Sequence, residues 1–157
     1  MPLPANVVSL PGAQELFDWF GYWPSFHDAE VLRANFQAGA ASTLVVHTWE
    51  ITDKVNAGSF FELTKNVVVA FTLSNVTKLE LEFLWEHSIL FDLAVSKVDT
   101  GVRLELSSSY GLSGTLEARE VSMLVIPGQP GPKTLERSPR FDRLRPSGAK
   151  ARAACGL

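Results

Sequence analysis

From Glu30 to Ile126 the chain alternates apolar and polar residues, broken only by short turns, and few folds are open to such a pattern. A period of two places alternate side chains on opposite faces of an extended strand, so each run reads as a strand with one face turned to a core. The first strand is predicted over Glu30 to Gln37. The second runs from Thr43 to Ile51, with Val45, His47, Trp49 and Ile51 on one face, and Asp53 to Ser59, containing Asn56-Ala57-Gly58, reads as a turn. Phe61, Leu63, Val67, Val69, Phe71 and Leu73 form the next apolar row, interrupted only by Lys65. Leu79, Leu81, Phe83 and Trp85 then face away from Lys78, Glu80 and Glu82. Ile89, Phe91, Leu93 and Val95 resume the alternation after Glu86-His87-Ser88, and Val102, Leu104 and Leu106 resume it after Asp99-Thr100-Gly101. Leu112 to Glu120 and Val121 to Ile126 complete about eight strands.

Connections this short cannot carry parallel crossovers, so neighbouring strands are expected to be antiparallel. Residues 10 to 20 form the one predicted helix. Ala13, Leu16, Phe17 and Phe20 make its apolar stripe, Ser9 is available as N-cap and Gly21 as the stop. A flat sheet with one wet face would leave Val68, Ala70, Leu84, Leu90 and Val121 exposed on the other. The expected fold is therefore α+β, mainly β: a curved antiparallel meander, half-barrel or two-layer, with one N-terminal helix packed against it.

A chain of 157 residues that is 46% hydrophobic can bury one core without disulfides, and residues 1–127 are expected to form a single globular domain. After Pro127 the run Gly128-Gln129-Pro130-Gly131-Pro132 opens a stretch without period, so residues 128–157 are expected to be mostly unstructured, with Leu135, Phe141 and Leu144 able to pin part of them to the body. Charge divides at the same place. Residues 1–127 hold 15 acidic and 7 basic side chains, a balance of −8, whereas residues 128–157 hold 7 basic and 2 acidic. An acidic body disfavours nucleic acid and attracts basic surfaces. Cys155 is the only cysteine and has no partner for an intramolecular disulfide, which points to a reducing, cytoplasmic setting. No segment approaches the roughly 20 apolar residues that cross a bilayer, nor does the N-terminus resemble a signal peptide, so a soluble, untargeted protein is expected.

Trp23-Pro24-Ser25-Phe26-His27-Asp28-Ala29-Glu30-Val31 joins helix to first strand and is not built as loops usually are. Exposed connections favour small polar residues. Tyr22, Trp23 and Phe26 are therefore either packed under the sheet or presented to a partner, since Trp and Tyr commonly anchor interfaces. His27, Asp28 and Glu30 supply a base, an orienting carboxylate and a second acid within four residues, the minimum for a small hydrolase or metal-dependent enzyme. Against that reading, His27 and Asp28 on an extended chain point to opposite faces, and an isolated His-Asp pair more commonly caps a turn and fixes the path into a strand. His27, His47 and His87 lack the close spacing of a metal-ligand set, and no metal or other cofactor is called for. His47, between Val45 and Trp49, reads as a hydrogen-bonded strand residue and His87 as a solvated turn residue. Ser107-Ser108-Ser109-Tyr110-Gly111-Leu112-Ser113-Gly114 joins strand to strand and reads as a hairpin, without the strand-to-helix setting of a nucleophile elbow.

The helix, the block Phe20-Gly21-Tyr22-Trp23-Pro24-Ser25-Phe26-His27-Asp28-Ala29-Glu30-Val31 and the later strands together resemble the immunity protein 50 family of bacterial polymorphic toxin systems. The likeness continues through Trp49-Glu50-Ile51-Thr52-Asp53, Phe71 to Leu81 with Asn75-Val76, and Ser109-Tyr110-Gly111 up to Pro127, while Glu86-His87-Ser88 departs from it. The resemblance implies a non-catalytic cytoplasmic inhibitor that binds a cognate toxin and occludes it. Tyr22, Trp23, Phe26, His27, Asp28 and Glu30 are its candidate contact residues. A basic toxin would gain association rate from the acidic body, and flat antiparallel edges leave room for a homodimer.

Overall fold

A computed structural model describes residues 2–7, 9–83 and 87–131. One helix, α1 (Ala13–Phe20), precedes six strands: β1 (Glu30–Asn35), β2 (Ser42–Val55), β3 (Phe61–Glu82), β4 (Ser88–Val98), β5 (Gly101–Tyr110) and β6 (Ser113–Pro127). All paired neighbours are antiparallel, and the order β1-β2-β3-β6-β5-β4 closes on itself as a barrel. The alternation thus yields neither a half-barrel nor two packed layers. Closure gives every strand two neighbours and so removes most of the free edge that an open sheet would present.

Six strands replace the expected eight because two pairs of runs fuse across irregularities instead of turning back. Asn75, at φ 55°, lies within β3, and the register of β3 against β6 slips between Val76 and Lys78. The run Phe61 to Leu73 therefore continues into Lys78 to Glu82 as one 22-residue strand. The runs Leu112 to Glu120 and Val121 to Ile126 likewise merge into the single strand β6, in which Leu116 and Ala118 face the core before exposed Arg119 and Glu120, and Val121, Met123 and Val125 face it after them. Trp85 and Leu84 lie outside the described residues, as do residues 132–157 with Leu135, Phe141, Leu144 and Cys155.

The barrel interior is one apolar cluster containing Leu44, Val46, Val69, Phe71, Leu93, Leu104, Leu116 and Met123. Each fully buried side chain of this size stabilises the fold by about 1.5–3 kcal/mol. A smaller cluster, Val45, Val68 and Ala70 with Leu32, Leu124 and Ile126 packed around it, lies on the outer side of the β1-β2-β3-β6 wall. Ladder pairing between β1 and β4 is confined to Glu30 with Ile89 and Val31 with Ser88, and β6 pairs with β5 only up to Ala118. The N-terminal segment lies along the edges so freed. The Met123 amide donates to Pro11 O at 2.8 Å, and the Asn6 side-chain amide donates to Val95 O. Ala13, Leu16 and Phe20 of α1 join the core between them.

The helix begins later than the apolar spacing suggests. Gly12, not Ser9, is the N-cap, in the left-handed region at φ 88°. A side chain there would collide with Met123 O, only 2.1 Å from where its Cβ would lie, so close approach to β6 dictates glycine. Gly21 does end the helix, its amide donating to Phe17 O at 2.7 Å.

Candidate functional site

The aromatic and acidic block between α1 and β1 is a backbone fastener on its inner side and an exposed patch on its outer side. Its inner side completes the barrel. Leu93 N–H donates to Ser25 O (3.1 Å), Asp28 N–H to Leu90 O (2.9 Å) and Leu90 N–H to Ala29 O (2.9 Å), extending the short β1–β4 ladder by a loop. Two residues of this loop have positive φ, Phe26 at 62° and Asp28 at 63°. The first turn drives the Phe26 ring into the core, where it is 1% exposed and meets Phe71 at 5.9 Å and Trp23 edge-on at 6.3 Å between centroids. Trp23 is half-buried against the same cluster and Pro24 is buried.

The second turn brings together what an extended chain would separate. His27 Nδ1 lies 3.0 Å from Asp28 Oδ2, both side chains about half exposed, and the imidazole packs edge-on against Phe91 at 5.0 Å. An extended backbone would point these neighbours to opposite faces, but Asp28 is not extended. Glu30 does not join them as a third member. It faces His47 across the β1–β2 ladder, Oε2 3.7 Å from Nδ1, while His47 Nε2 lies 3.0 Å from Asn66 Oδ1 and the ring packs at a tilt against Trp49 at 4.8 Å. His47 is buried, and its Nδ1 makes no hydrogen bond. His87 is exposed in a bend before β4.

Pairing in the ladders sets Glu30 in a row with Ile89 of β4 and Tyr110 of β5. Ile89, Phe91 and Tyr110 are exposed, so the outer patch is His27, Asp28 and Glu30 edged by three large side chains that alternation and turn chemistry alone place in a core row or a turn. Bulges in β4 explain the reassignment. The register against β5 shifts on both sides of Leu90, which turns Ile89 and Phe91 outward while Leu90, Leu93 and Val95 face the core.

Tyr22 sits apart from that patch, at the root of the β2–β3 hairpin. Its hydroxyl donates to Glu50 Oε1 at 3.1 Å. Partial burial, and then that bond and the Glu50 charge, raise its pKa above the usual tyrosine value. Glu50 also pairs with Lys65 Nζ at 3.3 Å, and Lys65 donates to Phe20 O at 2.9 Å, so α1, the block and the hairpin are tied at one point. A depression lies elsewhere, around the β1–β2 turn, where Phe36, Gln37, Ser42, Asn75 and Arg119 line it. No block residue lines it. Among the described residues no three His, Cys, Asp or Glu side chains gather as metal ligands would.

The family model for immunity protein 50 matches residues 12–127, from the N-cap of α1 to the last residue of β6. This chain belongs to the immunity protein 50 family. No curated protein and no solved structure matches it. The Phe26-His27-Asp28 run has a definite geometry in this chain: two left-handed residues in a row of three set one ring inside the barrel and one carboxylate against its histidine. No helix among the described residues is long and apolar enough to cross a membrane.

Proposed function

We propose that this chain is a bacterial immunity protein that binds a cognate toxin in the cytoplasm of the producing cell and neutralises it by covering it, without catalysis of its own. Membership of the immunity protein 50 family over every element of the barrel carries the proposal. The physical character of the surface agrees with it. A closed barrel with a charge balance of −8 over residues 1–127 offers a rigid acidic face, which speeds encounter with a basic protein and loses little entropy on docking. Contacts are made by the exposed members of the block, Tyr22, His27, Asp28 and Glu30, while Trp23 and Phe26 hold the loop in position from inside.

The hydrolase or metal-dependent alternative built on His27, Asp28 and Glu30 gains no support, since Glu30 pairs with His47 and the His27–Asp28 pair does not line the depression at the β1–β2 turn. Co-expression with the product of the adjacent reading frame tests the proposal. Survival of cells that otherwise die, with co-purification of a stoichiometric complex, is expected. Death of the cells with no complex would remove the proposal's basis.

A further inference from the structure

The β2–β3 hairpin runs on past the barrel wall. β1 accompanies β2 only as far as His47, and β6 accompanies β3 only from Val67 onward, so residues 49–65 form a two-stranded arm that no other described strand flanks. Ile51 lies opposite Leu63 and Val55 opposite Phe61, which puts all four on one face, and Phe60 follows at the turn. These five side chains are 49% to 73% exposed. Polar residues normally cover a free hairpin, and an apolar patch of this kind marks an interaction site.

We propose, resting on the immunity reading, that this arm is the principal docking element for the toxin, and that the toxin presents an apolar cleft bordered by basic side chains. Three observations select that partner. First, the apolar face amounts to roughly 600 Å² at about 200 Å² per large side chain, most of the roughly 800 Å² that each partner contributes to a standard interface. Second, the surrounding charge is acidic. Asp53 and Glu62 lie on the arm, and exposed Glu15 and Asp18 lie on α1, which is bound to the arm's base through Trp19 Nε1–H to Lys65 O at 2.9 Å. Against these the arm sets Lys54, Lys65 being occupied by Glu50. A second copy docked arm to arm would set the same acidic rim against itself, so pairing of two arms is disfavoured. Third, the apolar face continues the row His47, Trp49, Ile51 along β2, and Glu30 pairs with His47, so the arm and the exposed block lie on the same face of the sheet.

The test uses the full chain and the protein encoded by the adjacent reading frame, with titration calorimetry and stopped-flow binding. Phe61→Ser with Leu63→Ser is expected to weaken the complex roughly thirtyfold or more, chiefly through faster dissociation. Asp53→Lys with Glu62→Lys is expected to slow association several-fold at low salt and to have less effect at high salt. Should the serine variant melt early, the lysine variant carries the test. If the parent binds and both variants bind as tightly, the arm proposal is overturned and the immunity reading stands. If light scattering shows a dimeric parent that the serine variant makes monomeric with toxin binding unchanged, the occupant is a second copy and the proposal is likewise overturned. A parent that neither binds nor protects overturns both.

Discussion

Phe26 and His27 are chain neighbours with opposite duties. The Phe26 ring is enclosed by Trp23 and Phe71, so Phe26→Ala is expected to cost about 3–5 kcal/mol in urea unfolding. The half-exposed His27 side chain pairs with Asp28 and packs on Phe91 at the surface, and His27→Ala is expected to change stability by less than about 0.5 kcal/mol in the same measurement. Aromatic content in a connection could be seen in the sequence, whereas its division between inside and outside could not. That division depends on positive φ at Phe26 and Asp28, a conformation that Asp adopts more readily than most residues but that Phe does not advertise. Tyr22 allows a pH test at the same scale. Its proton is held more tightly in the folded chain than in the unfolded one, so its contribution is present below the ordinary tyrosine range near pH 10 and is lost as pH rises through the higher folded value. Ultraviolet titration should show one tyrosine ionising late, and Glu50→Gln should move it back toward the usual value.

At the scale of the elements, the alternation was legible and its parity was not. Strands, antiparallel pairing, the single helix and its Gly21 stop all follow from period and turn chemistry. Face assignments failed wherever a bulge intervened. Lys65, at φ 50°, separates exposed Leu63 from buried Val67 in what reads as one apolar row, and the shifts around Leu90 do the same to Ile89 and Leu93. Each inserted residue reverses the faces beyond it, and no composition rule locates it. The turn of the arm is a separate unit. Asn56 Oδ1 accepts from the amides of Gly58 (2.9 Å) and Phe60 (3.2 Å), so Asn56→Ala is expected to speed hydrogen exchange in residues 56–61 while leaving global stability within about 0.5 kcal/mol.

For the whole molecule, the uneven staving of the barrel matters more than its strand count. The β1–β4 seam rests on two ladder pairs and three loop hydrogen bonds, whereas the β3–β6 pairing runs from Val67 to Glu82. Local opening is therefore expected at the seam first, and native-state exchange should find the amides of Asp28, Leu90 and Leu93 less protected than those of Val69 and Phe71. His27 and Glu30 stand on one lip of that seam, with Ile89 and Phe91 on the other. A molecule gripping both lips would act as a suture, and the barrel would become harder to unravel in the same act by which it disarms its captive.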